Sequence, residues 1–414
     1  GKRALTITGV ALILAPAYLR MKKMLHIPPF EALLWTMLAF LAVRIVKEPP
    51  SDSGNRKWLA LGLLLGLALL TKVTVIAWSV GFLIGLAWAR QLRWRDPYLY
   101  AGSLIAMALF GLNLYWQFAN SWPTFEFIQE LRDSTLAKVP RLLFLLAQIL
   151  YIGPFALPIW LGGLVWLSVV DQGRFRFLAV SFFFAMLGFL VTRAKPYYAA
   201  AAYPVLLAAG GVFWEKTWLL KGRGPRIGLA IPSVVLAGLG AVFAVLSLPI
   251  LPLPTLNHAI GRILGGVVNP RDLTFDLHLE YGWRELAHHA AGEVAKLSAA
   301  ERRELALVSR SYSGAAAINF YGKGLRAHSP HMNFYLWGPP PDSARLVLMY
   351  GYSQAELLPI CDSVEFAGRS FHELALPKLQ EDAFFICRNL RPSWKKLWPA
   401  MKKYSFVSDM LVLE

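Results

Sequence analysis

Charge is scarce in this chain, and negative charge scarcest. Of 414 residues only 16% are charged, with 25 Asp and Glu set against 42 Lys and Arg. Soluble domains carry about 25% charged residues. With 56% hydrophobic residues and a mean hydropathy of +0.47, the composition excludes a wholly soluble globule and calls for a largely membrane-embedded protein. Cysteine is nearly absent: two residues, Cys361 and Cys387, exclude a disulfide-rich scaffold and leave open either one disulfide or two unpaired buried thiols. The C-terminal part contains no GxGxxG and no GK[ST] signature, so no nucleotide site is expected there. Histidine is sparse too. His288 and His289 are adjacent, His328 and His331 fall in a loop, and neither pair comes with Cys or acidic ligands at metal spacing. No metal and no cofactor are expected. The chain opens on Gly1 without Met and enters an apolar stretch almost at once, so it reads as an N-terminally truncated fragment.

What is abundant is apolar sequence in runs, up to about residue 255. Spans need roughly 17 to 25 apolar residues. Candidates are 4–19, 29–46, 58–71, 74–91, 98–116, 142–169, 176–192, 198–214 and 227–250, nine in all, with Gly153 and Pro154 expected to kink or break the sixth. The net charge of +17 does not point to nucleic acid, because the cations flank apolar runs, where they face anionic lipid head groups. The lipid bilayer is the expected partner. Loops 44–57, 90–96, 171–176 and 215–226 hold 13 Lys and Arg, and the alternate set (20–29, 72, 118–141 and 193–195) holds 9. The positive-inside rule makes the first set cytoplasmic, so the C-terminal domain is expected outside.

Cations in the outer set run against that trend and need another reason to be there. In RAKPYYAAAAYP, Arg193 and Lys195 precede Pro196, Tyr197 and Tyr198 at the mouth of an apolar segment. Pro196 suits the first position of a helix, and a cation beside a helix N-terminus makes a phosphate site. Snorkelling cations and an aromatic belt explain the same residues. Glu31, Lys72, Asn113 with Gln117 around Trp116, and Gln148 within the sixth span add polar groups that are costly in hydrocarbon. All but Gln148 fall toward the outer side, which suggests one outward-facing cavity, with interhelical hydrogen bonding as the other account of Asn113 and Gln148.

The stretches PPFEALLWTMLAFLAVRI, LGLLLGLALLTK, NLYWQFANSWPTFEF, AQILYIGPFALPIWLGGL and RAKPYYAAAAYP, with SYSGAAAINFYGKG, MNFYLWG and FICRNLRPSWKKLWPAMKKY further on, resemble the polytopic GT-C glycosyltransferases of the dolichyl-phosphate-mannose protein mannosyltransferase and aminoarabinose transferase group. The resemblance implies a bacterial inner-membrane enzyme that moves a sugar from a polyprenyl-phosphate donor to a lipid, protein or glycan acceptor on the outer face. It implies about eleven spans in a family member, and a catalytic acidic residue in a first outer loop that lies upstream of Gly1. It assigns donor phosphate binding to Lys195, Arg193, Tyr198 and Lys72, and a sugar or acceptor pocket to Glu31, Asn113, Trp116, Gln117, Gln148 and Tyr197. A transporter or flippase of a lipid-linked substrate is the alternative, although no internal repeat between the halves favours it.

From about residue 256 the period changes. YGWRELAHHAAGEVAKL, SGAAAINFYGK and SQAELLPIC read as helices, and ELALVSR, RLVLMYGY and DAFFICR as strands. The expected architecture is an all-α polytopic membrane domain over 1–255 followed by a small extracytoplasmic α/β domain over 256–414.

Overall fold

The computed structural model describes residues 1–23, 25–48, 56–134, 140–219 and 238–404. The chain divides into two compact units, Gly1–Ala119 with Leu136–Ile250, and Asn120–Thr135 with Leu251–Glu414.

The first unit is helical: α1 (Lys2–Leu14), α2 (Pro16–Lys22), α3 (Ile27–Lys47), α4 (Lys57–Thr71), α5 (Val75–Trp88), α6 (Pro97–Ala119), α7 (Arg141–Ile152), α8 (Leu157–Val169), α9 (Arg176–Val191) and α10 (Tyr203–Trp214). A 3₁₀ turn at Pro196–Ala202 leads into α10. The expected span 4–19 is two helices, because Ala15 precedes Pro16 and is held extended at φ −65°, ψ 121°. The sixth expected span is likewise broken, with a 90° bend between Arg141–Ile152 and Pro154–Val169. Gly153 turns the chain there at φ 97°, a conformation only glycine adopts without strain.

The count of nine spans is not confirmed. Among the described residues, Ile27–Lys47, Pro97–Ala119 and Pro196–Thr217 are long and apolar enough to cross a membrane, and the bent pair makes a fourth if counted as one span. Lys57–Thr71, Val75–Trp88, Arg176–Val191 and Gly238–Ser247 are apolar but shorter. A 14-residue helix such as α5 reaches about 21 Å against a hydrocarbon core of about 30 Å. Of the expected ninth span, 227–237 lie outside the described residues.

Small residues set how closely the helices approach. A Cβ on Gly62 of α4 would lie 2.0 Å from the Gly102 carbonyl of α6, one on Gly66 2.5 Å from Leu109, and one on Gly102 2.2 Å from the Trp58 carbonyl. The partners advance together, so α4 and α6 run parallel, and the end of α6 that carries Asn113 to Gln117 stands level with Lys72. At the far end of α3, the orphan carbonyls are met by arginines from two later loops. Arg93 donates to the Ile45 and Glu48 carbonyls at 3.2 and 2.8 Å, and Arg174 to those of Val46 and Lys47 at 2.8 and 3.1 Å. Loops that the charge count had grouped together thus meet at one end of α3.

The second unit holds a five-stranded sheet, β1 (Leu305–Ser309), β2 (Ala327–His328), β3 (Leu346–Tyr350), β4 (Cys361–Arg369) and β5 (Ala383–Leu390), in the order β2-β1-β3-β5-β4. β1 is parallel to β2 and β3, while β5 is antiparallel to β3 and β4. Alternation sends Leu307, Leu348 and Phe384 to one face, packed with Leu286 and Ala290 of α11 (Trp283–Lys296) and Ala315 and Ile318 of α12 (Tyr312–Tyr321). Val308, Val347 and Phe385 go to the other face, against Trp394 and Trp398 of α13 (Trp394–Met401). A disulfide joins Cys361 to Cys387 across β4 and β5. Helix Pro123–Ser134 belongs to this unit, where Glu126 accepts from Lys402 at 2.6 Å and Glu130 from the Tyr404 amide at 2.9 Å.

Two predictions follow from this packing. Gly62→Ala drives a methyl into a backbone carbonyl that has no rotamer to yield, so it lowers the unfolding midpoint in detergent, at a cost of about 1–3 kcal/mol. Gly111→Ala, on α6 with nothing within 4 Å, leaves the midpoint unchanged or raises it. Equal effects of the two substitutions would contradict the close approach of α4 and α6.

Buried His331 accepts from the Tyr312 amide at 3.4 Å through Nδ1, and burial pushes its pKa down to about 4. The unfolded chain takes up that proton below about pH 6.5 and the folded chain only near pH 4, so stability is full above 6.5 and declines as pH falls through this window, by about 3 kcal/mol in all. His331→Gln flattens the decline, as unfolding midpoints between pH 7 and 4 will show.

Candidate functional site

The N-terminal end of α3, the α4–α5 turn and the start of the 3₁₀ turn converge on one carboxylate. Glu31, 3% exposed one turn into α3, accepts from Lys72 Nζ at 3.1 Å and from the Thr74 hydroxyl. Lys72 caps α4, and only Val73 and Thr74 separate it from α5. The turn is tight because the chain reverses there, and it aims both donors back at Glu31.

The opposite side of the ammonium is covered by a ring. Lys72 Nζ stands 3.4 Å from the centroid of Tyr198 and 5.9 Å from that of Tyr197, so a cation–π contact supplements the ion pair. The two tyrosines meet edge to face at 4.8 Å and share a hydrogen bond. Beneath this polar layer, Trp35 and Trp78, each four residues beyond Glu31 and Thr74 respectively, pack at 6.0 Å, and Trp78 stacks on Phe82 at 5.4 Å. The aromatic floor keeps water from the ion pair and strengthens it.

Lys195 is half-buried immediately before Pro196 and close enough to Lys72 for charge repulsion. No carboxylate pairs with it among the described residues, whereas Lys72 is neutralised by Glu31. The site therefore carries one uncompensated positive charge, at the start of a long helical segment whose first N–H groups also favour an anion.

The remaining residues singled out in the sequence fall into three groups. Gln148 of α7 donates to the Phe144 and Pro196 carbonyls, both at 3.0 Å, and so ties α7 to the 3₁₀ turn by interhelical hydrogen bonding. Its Oε1 is buried without a hydrogen-bond partner among the described residues. Asn113 is half-buried, Trp116 exposed and Gln117 buried near the end of α6, on the level of Lys72 by the α4–α6 register. Arg193 lies elsewhere, lining a small cleft with Arg141, Phe144 and Phe189. Sequence reasoning missed Thr74, which TKVT places two residues from Lys72, and Tyr18, whose hydroxyl donates to the Ala200 carbonyl at 2.8 Å and anchors α2 to the 3₁₀ turn.

Apolar helices closing on a buried ion pair, with an unneutralised lysine beside it, define a membrane protein with a polar site at one end of its helical unit. Residues 1–116 match the family model described as dolichyl-phosphate-mannose-protein mannosyltransferase. The match bears out the resemblance to that superfamily and supports a membrane glycosyltransferase of the GT-C type. It takes in Glu31, Lys72, Asn113 and Trp116, and ends before Lys195 and the tyrosines. No curated protein and no solved structure matches the chain.

Removing one partner of a buried pair strands the other's charge. Lys72→Met is expected to destabilise the protein by about 3–5 kcal/mol, and Glu31→Leu combined with Lys72→Met to recover most of that loss. Thermal unfolding of the single and double variants in detergent measures the coupling, and additive losses would show that the two side chains do not act as a pair.

Proposed function

We propose that the chain is part of a glycosyltransferase that takes a sugar from a polyprenyl-phosphate donor and passes it to a lipid, protein or glycan acceptor on the outer face of a bacterial cytoplasmic membrane, with the second unit periplasmic. The family match supports the reaction class, and the single observation that carries the donor is the unneutralised Lys195 at the head of an apolar helix. In such a transfer the acceptor oxygen bonds to the anomeric carbon, its proton passing to a general base, as the bond from that carbon to the phosphate oxygen breaks. The electron pair stays on the departing phosphate, whose charge grows from about −1 toward −2. A fixed cation at that oxygen stabilises the transition state more than the ground state.

Each residue of the site then has its own task. Lys195 contacts the phosphate. Lys72 is already committed to Glu31 and supplies a weaker share of positive potential while fixing the Tyr198 ring, and Tyr198 donates its O–H to a phosphate oxygen. Glu31, held by two donors, is a positioning group and not a free base. Tyr197, Asn113, Trp116 and Gln117 would border the sugar, the aromatic faces suiting its C–H surface. Gln148 shapes the pocket indirectly, through the Pro196 carbonyl. Arg193 is the more distant cation and would meet the lipid-phosphate head only on approach.

The donor's common part can be tested without knowing the sugar. Undecaprenyl phosphate should raise the unfolding midpoint of the detergent-purified chain, and Lys195→Ala should weaken that binding by about 10- to 100-fold. Lys47→Ala, at the other end of α3, should leave it unchanged. Equal stabilisation of wild type and Lys195→Ala would remove the phosphate role.

A further inference from the structure

The second unit carries a site that the proposed transfer reaction does not use. β1 is followed by α12, which leads to β2 on one side, whereas β3 is followed by strands that lie on its other side. The carboxyl ends of β1 and β3 therefore flank the point where the connections diverge, the position at which open α/β sheets hold ligands. A cavity of about 840 Å³ opens there, lined by residues of both strand ends, among them Arg310, Tyr350 and Tyr352.

Its lining has a definite chemical character. Arg310, Arg369 and Lys378 are matched in number by Glu356, Glu381 and Asp382, so formal charge cancels. Arg310 is engaged by Glu356 at 2.8 and 3.0 Å and lies over the Tyr352 ring at 5.5 Å. The two lining histidines add no charge near pH 7: burial lowers the pKa of His278 and brings that of His331 to about 4. Aromatic side chains, among them Tyr281, Tyr312 and Tyr352, share the rest of the lining with serines such as Ser311 and Ser313 and with leucines.

The second observation is Tyr350. It is only 2% exposed, it lines the cavity, and its hydroxyl is buried with no hydrogen-bond partner among the described residues. An unpaired buried hydroxyl costs about 1–3 kcal/mol, a cost that a ligand able both to accept and to donate would relieve. An inorganic anion would gain nothing from the carboxylates. An apolar ligand would leave the ion pair and the hydroxyl unanswered.

We propose that this cavity binds a neutral glycan, a mono- or disaccharide unit whose C–H faces lie on the tyrosines and whose hydroxyl groups meet Tyr350 and the Arg310–Glu356 pair. Such a ligand fits the volume range of small-molecule sites. This site is independent of Lys195 and of the donor chemistry.

The test is saturation-transfer NMR on the detergent-purified whole chain with maltose, cellobiose and N,N′-diacetylchitobiose as probes and pyrophosphate as the anionic comparator. At least one disaccharide is expected to show transfer concentrated on its C–H protons and undiminished by excess pyrophosphate. Tyr350→Phe breaks no internal hydrogen bond and removes an unpaired hydroxyl, so it should keep or raise the unfolding midpoint while weakening that sugar about three- to tenfold. Tyr352→Ala should weaken it further by removing an aromatic wall. Absence of transfer to all three sugars, displacement by pyrophosphate, or equal affinity in Tyr350→Phe each overturns the proposal. Since the readout needs neither donor nor turnover, its failure would leave the phosphate reading of Lys195 standing.

Discussion

The first unit is organised around the ion pair between Glu31 and Lys72. A carboxylate 3% exposed among apolar helices is tolerated only if its charge is met by a cation and its remaining lone pairs by donors. Lys72 and Thr74 meet both needs, and because they bracket the turn between α4 and α5, satisfying Glu31 fixes where that turn sits against α3. The position of Tyr198 follows, since the ammonium that faces Glu31 on one side faces the ring on the other. The pair also bears on its neighbour: Lys72 is compensated by Glu31, whereas Lys195 has no carboxylate partner among the described residues. A buried ion pair is poor value for stability compared with apolar packing, and its presence here is better understood as a device that holds a polar site open in an apolar bundle.

The two ends of α3 are treated oppositely, and both treatments obey the same rule that buried polar groups must be paired. At the Lys47 end, guanidinium groups from two later loops take up the last carbonyls, which closes that end with cations suited to a helix C-terminus. At the Glu31 end the pairing is between side chains, and the Lys195 ammonium adjoining it lacks a carboxylate partner among the described residues. One end is sealed and the other retains capacity to bind. The parallel packing of α4 and α6 through glycine contacts brings Asn113 and Gln117 to the same open end.

Much of this architecture was legible in the sequence, and what was not has identifiable causes. The apolar runs gave most of the helices, and glycine before proline at 153 and 154 announced the bend of the sixth run. Pro16 had the same power to break a helix but was passed over inside an apolar stretch. The strands β1, β3 and β5 were readable because central strands are continuous apolar runs. β4 was not, since an edge strand protected by Asp362, Glu365 and Arg369 has the composition of a loop. Glu31 and Lys72 were each singled out, but their pairing across 41 residues depends on how α3 meets the α4–α5 turn, which local periodicity does not encode. The cavity beyond β1 and β3 was invisible for the same reason: its residues are spread over a hundred positions and converge only when the sheet forms.

The two candidate sites differ in charge, and that difference carries their chemistry. Next to Glu31 and Lys72, an excess ammonium over an aromatic floor favours a ligand with a concentrated negative charge and an apolar remainder, because the charge is answered and the remainder costs nothing to bury. Beyond β1 and β3, equal numbers of cations and carboxylates impose no such selection on charge. What they offer is a set of directional donors and acceptors between flat rings, which discriminates by the geometry of hydroxyl groups. A mistake in hydrogen bonding is penalised there, since each buried polar group left unpaired is costly. On the proposed reading the first site selects by charge and is therefore sensitive to salt and to the loss of one lysine. On the proposed reading the second selects by shape and hydrogen bonding, since the Tyr350 hydroxyl, buried without a hydrogen-bond partner among the described residues, is a group that a polar ligand would satisfy.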